Sequence, residues 1–139
     1  MSTEQNKQLV RRLIEEVFNQ KKMDVIEELV APDFVEHEVV PPGIPPGRDG
    51  LKALFGMQHS AFPDCKATIE HLIAEGDHVV VHMHWAGTHE GEFAGIPPAG
   101  KAISISVIDI MHINEGKIVA HWGAMDQMTF MQQLGAMPA

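Results

Sequence analysis

Three observations predict an α+β fold. Helical periodicity is confined to the residues before Cys65 and to a short tail after Asp126. From Cys65 onward, apolar residues recur at every second position in four successive runs. The runs are joined by turn-forming residues, so successive strands pair antiparallel. Three N-terminal helices are therefore expected to pack on the inner face of a strongly curved, mostly antiparallel sheet.

The elements follow in order. Residues Ser2 to Asn19 read as an amphipathic helix. Ser2 and Gln5 have the spacing of a capping box, and Leu9, Leu13, Val17 with Val10, Ile14, Phe18 form one apolar face. A short second helix is expected from Asp24, with Glu27 as its box partner and Pro32 marking its end. Asp33 to Val40 is short and extended. The stretch Pro41 to Gly47, PPGIPPG, excludes regular structure and could cover a cavity mouth or merely connect. A third helix fits Asp49 to Ala61, with Leu51, Leu54, Phe55 and Gln58 on one side, and Phe62-Pro63-Asp64 stops it. The strands are Lys66 to Ala74, His78 to Thr88, Ala102 to His112 and Lys117 to Ala124. Both faces of the second and third carry bulky groups, so the outer face is expected to meet another subunit, in a homodimer or higher homo-oligomer.

Composition narrows the function. A chain of 139 residues makes one domain, residues 1–139. A formal net charge of −9 repels nucleic acid and anionic membrane surfaces. The expected partner is a small molecule that is neutral or only locally charged. No run approaches a membrane span, and the polar N-terminus MSTEQNKQ has no apolar signal core. Cys65 is the single cysteine, which fits a reducing compartment and a cytoplasmic location. Nine methionines suit an adaptable apolar interior, core filling being their ordinary use.

The chemistry-bearing stretch is Gly116 to Gly135, GKIVAHWGAMDQMTFMQQLG. Asp126 stands where strand gives way to helix. It serves either as a helix N-cap or as a partly buried carboxyl whose raised pKa suits proton transfer near neutrality. His112 is a candidate hydrogen-bonding partner. Trp122 shares strand parity with Asp126 and is a candidate wall residue, barring a bulge. Trp85 and Phe34 are further wall candidates, although core packing also accounts for them. His82 and His84 point to one strand face. Without a Cys pair, an HExxH or an Asp-rich loop beside them, cavity lining is favoured over metal ligation.

Together, EELVAPDFVEH, PPG, AFPD, EGDHVVVHMHWAGTHEGEFAGIPPAGK, GKIVAHWGAMD and QQLG resemble, in that order, the SnoaL-like polyketide cyclase family of the nuclear transport factor 2-like superfamily. The resemblance runs from about Val25 to Gly135. It implies a cone-shaped α+β barrel around a deep apolar cavity. It also implies ring closure by intramolecular aldol condensation, with neither metal nor cofactor. By the same resemblance Asp126 matches the acid/base aspartate, His112 an assisting histidine, and His37 a histidine after the second helix.

Sister activities of this fold fit less well. Epoxide-opening relatives pair Arg with Asp on one strand, whereas Arg11, Arg12 and Arg48 are all assigned outside strands. Ketosteroid isomerases hold the oxyanion with tyrosine, and this chain has none. The alternative of another class is a non-catalytic binding or dimerisation module.

Overall fold

The computed structural model describes residues 2–137. The single-domain expectation also spans residues 1, 138 and 139, which lie outside the described residues. Helix α1 covers Thr3–Arg12 and continues as one π-helical stretch, Leu13–Asn19. Ser2 Oγ accepts from the Gln5 amide at 3.1 Å, and Gln5 Oε1 accepts from the Ser2 amide at 2.9 Å. The expected capping box is formed. Val10, Leu13, Val17 and Phe18 supply the buried face.

The second helix departs from expectation. A 3₁₀ turn, Met23–Val25, leads into the single-turn α2, Ile26–Leu29, and neither has a side-chain cap. Glu27 closes no box, because its carboxylate pairs with Arg48 at 2.6 Å and with Lys52. Pro32 does not end the helix either. It lies inside strand β1, Val30–Glu36. That strand is an edge, so a residue without an N–H is tolerated there.

Helix α3 covers Gly47–Ala61. Strands β2 (Lys66–Glu75), β3 (His78–Thr88), β4 (Ala102–Asn114) and β5 (Lys117–Met125) match the expected runs within two residues. Helix α4, Gln127–Leu134, closes the chain order. The sheet order is β1-β5-β4-β3-β2, antiparallel except where β1 runs parallel to β5. Register shifts at Ile69/His71 and His112/Ile113 are bulges of the kind that bend a sheet. The core lies between the inner sheet face and the helices. Val79, Val81 and Ile118 are fully buried there against Val10, Ile26 and Leu29. No helix among the described residues is long and apolar enough to cross a membrane.

Candidate active site

A cavity of about 190 Å³ lies between the helices and the inner sheet face. Leu13, Ile14 and Phe18 line it from the N-terminal helix. Leu51, Leu54, Phe55 and Gln58 line it from α3, as their shared helix face predicts. Val39, fully exposed yet part of the lining, marks the rim with Glu38 and Val40. A neighbouring hollow shares Phe34, Glu36 and Val40 with the cavity and is lined by Ile44, Pro45 and Pro46. The proline-rich loop thus flanks the mouth.

Within this apolar lining the ionisable residues are Glu36, Glu38, Asp109 and His121. Strand pairing brings them together. His121 faces Glu36 across the β1–β5 register, and Met111 and Gly123 face His121 and Asp109 across the β4–β5 register. Asp109 is therefore the diagonal neighbour of His121 on the inner face. His121 Nδ1 donates to Glu36 (2.7 Å to Oε1, 2.5 Å to Oε2), and Nε2 donates to Asp109 Oδ1 at 2.8 Å. Burial alone would pull the imidazole pKa down. The hydrogen bonds and charges of Asp109 and Glu36 outweigh it and push His121 up to about 10. At neutral pH this residue is an imidazolium clamped between two carboxylates.

Glu38 completes the group. The residue as a whole is exposed on the rim, and its carboxylate lies against the β5 backbone at Gly123. A Cβ at position 123 would collide with both the Glu38 and the Asp109 carboxylates. Glycine there is the gap into which two acids project. Burial pushes the Glu38 carboxyl up, the His121 charge opposes this, and Asp109 and Glu36 add to the rise. Glu36, Glu38 and His121 offer ligand atoms within 4.8 Å of one another and are one of two groups with metal-ligand composition among the described residues. The other, Asp77 with His78 and His112, lies on the outer side of the sheet.

The structure places several of the sequence-predicted site residues outside the cavity. Asp126 is exposed and caps α4: Oδ1 accepts from the Thr129 amide at 3.2 Å and Oδ2 from the Thr129 hydroxyl at 2.7 Å. It is not among the cavity residues. His112 projects from the outer face and binds Asp77 Oδ2 at 2.8 Å. His37 stacks on Trp122, ring centroids 4.4 Å apart, and both rings lie outside the cavity. His82 and His84 bond Ser106 and Ser104 on the outer face rather than lining the cavity. Trp85 and Phe34 do line it.

The missed residues had signals. Phe34, Glu36 and Glu38 alternate on one side, leaving His37 on the other. Asp109 alternates with the buried Ile105 and Met111. On β5 the bulge defeats parity counting. Ile118 and His121, three apart, both face inward, and Trp122 is thereby turned outward.

The family model for SnoaL-like polyketide cyclases matches residues 8–134. A nogalonic acid methyl ester cyclase from Streptomyces nogalater is 28% identical over 120 residues, covering 85% of this chain and 89% of that protein. Among solved structures, TsrD from Streptomyces laurentii superposes with a TM-score of 0.89 at 27% identity, covering 99% of each chain. Wild-type IdmH from Streptomyces antibioticus gives 0.80 at 33% identity, covering 94% of this chain and 99% of its own. With the cone-like α+β architecture and this family match over most of its length, the chain belongs to the SnoaL-like polyketide cyclase family.

Proposed function

We propose that the cavity performs cofactor-independent acid/base catalysis on a small, neutral, apolar carbonyl or ester compound, closing a ring by an intramolecular aldol-type step. The observation that carries this reading is the Glu38 carboxyl, raised by burial and standing beside a fixed imidazolium in an otherwise apolar hollow. Glu38, as carboxylate, removes a proton from the carbon next to a carbonyl. The enolate oxygen gathers negative charge, and the His121 imidazolium offsets it. The enolate carbon then bonds to a second carbonyl carbon of the same molecule, whose oxygen takes the proton back from Glu38. No redox change occurs, and the proton count closes. Asp109 and Glu36 hold His121 charged and oriented, so they are positioning residues. Phe34 and Trp85 bound the substrate. The acid/base role thus passes from Asp126 to Glu38.

The net negative charge of three carboxylates and one imidazolium disfavours a free acid as substrate and favours a neutral ketone or ester. A second copy of the chain is proposed to cover the outer sheet face. Ile73, Ile108, Ile110 and Trp122 are 60%, 49%, 38% and 37% exposed there.

The test is steady-state turnover of a panel of neutral poly-carbonyl esters by the wild type and by Glu38→Gln. A loss of roughly 10²–10⁴-fold in kcat with retained binding is expected, the range for removing a general acid/base. Turnover that survives Glu38→Gln sinks the assignment. Tight binding with no turnover of any panel member leaves a binding module instead.

A further inference from the structure

We infer that Asp77, His78 and His112 form a surface site for a late first-row divalent cation, zinc being the representative, on the sheet face opposite the cavity. His78 and His112 are direct cross-strand partners on β3 and β4. Their rings lie parallel, 2° apart in orientation, with centroids separated by 4.6 Å. Both rings turn a nitrogen toward one carboxylate. His78 Nδ1 lies 2.8 Å from Asp77 Oδ1, and His112 Nε2 lies 2.8 Å from Asp77 Oδ2. The three ligand atoms fall within 4.8 Å of one another.

The backbone holds this arrangement in place. Two donors sit on paired strands, and the turn that carries Asp77 is tied to β4 by an Ile113 amide bond to the Asp77 carbonyl at 2.8 Å. Trp122, 6.3 Å from His78 and itself stacked on His37, backs the pair on its inner flank. Little reorganisation is needed on binding. The cation replaces the protons that the two nitrogens share with Asp77, and ligand bonds of about 2.0–2.2 Å form by small side-chain rotations.

The donor set selects the metal class. Two imidazole nitrogens and one carboxylate oxygen suit Zn²⁺, Ni²⁺ or Cu²⁺ and are poor in the oxygens that Ca²⁺ or Mg²⁺ demand. In the single chain the side chains are 49%, 60% and 33% exposed for His78, Asp77 and His112, which leaves room for solvent, or a group of the proposed second copy, to complete the coordination shell. The chain's net charge of −9 favours cation approach. The Glu36, Glu38 and His121 group is the weaker candidate, because both nitrogens of His121 already carry protons donated to carboxylates.

The experiment is calorimetric titration of chelator-stripped protein with Zn²⁺ at pH 7.5, with the mass of the species recorded alongside. One zinc per chain is expected, with a Kd on the order of 10 µM or tighter. His112→Ala and Asp77→Asn should each weaken binding by about tenfold or more, the scale seen for metal-site partners. Both side chains are substantially exposed, and circular dichroism checks that each variant folds. Glu38→Gln and the double variant His82→Ala/His84→Ala should bind zinc like the wild type. The proposal is overturned by absence of saturable binding, by binding that His112→Ala leaves intact, or by binding lost in Glu38→Gln or in the His82/His84 pair. The readout is metal occupancy, so it stands or falls independently of turnover in the cavity.

Discussion

A single imidazole carries the electrostatics of the cavity. Unfolded, His121 titrates near 6.5, and folded it titrates at about 10. The folded state therefore keeps a proton that the unfolded chain has released. This stabilisation is complete below about pH 6.5 and is lost as pH rises through about 10. As much as roughly 5 kcal/mol is at stake. Thermal or urea unfolding between pH 6 and 10 should show stability falling across that window, and His121→Gln should flatten the slope. A wild-type profile already flat over this range would remove the clamped imidazolium. The Glu38 pKa is raised as well, which for a carboxyl disfavours the charged form. Its carboxyl is pushed up by burial, so the rate should rise with pH through a value above the ordinary glutamate range. Glu38→Gln should erase that limb along with the activity. Asp126 behaves as a cap. Asp126→Ala should cost about 1 kcal/mol in urea unfolding and leave kcat within a few-fold of wild type. A loss of turnover on the scale of Glu38→Gln would return Asp126 to the mechanism.

At the scale of elements, the β4–β5 pair decides which side chains meet. The bulge at His112/Ile113 shifts the parity of β5, turning His121 and Gly123 inward and Trp122 outward. Gly123 then has to lack a side chain, since Glu38 and Asp109 occupy the space a Cβ would take. Gly123→Ala should displace Glu38, the freer of the two, and strain the Asp109–His121 bond. A destabilisation of about 1–3 kcal/mol is expected, the usual penalty of overfilling. The rate should fall with it, and the pH limb assigned to Glu38 should move toward the ordinary glutamate value. An unchanged profile in a folded Gly123→Ala protein would show that the gap does not place Glu38. The elements themselves were largely legible. Capping at Ser2, the helix face of α3 and the period-2 runs from Cys65 each announced their structure through local spacing. The second helix was less so, because Glu27 found stronger partners in Arg48 and Lys52, far away in sequence.

For the whole molecule, the sheet divides two kinds of surface. Its inner face closes on the helices around the cavity. Its outer face leaves Ile73, Ile108, Ile110 and Trp122 open over the same strands. Such a band on a β-sheet is expected to pair with a second copy. Sedimentation equilibrium should report a dimer for the wild type, and Ile110→Asp should shift the population to monomer without unfolding it. A monomeric wild type at tens of micromolar would leave that face without the proposed partner. What the chain determined locally was its class and order of elements, because periodicity and turn chemistry act over a few neighbouring residues. The family was also legible, since its motifs are contiguous. The identity of the buried acids was decided only by tertiary structure. Glu36 lies 85 positions from His121 and Asp109 lies 12, and both meet it through strand register. One bulged residue on β5, invisible to parity counting, sets the side of the sheet that His121 faces.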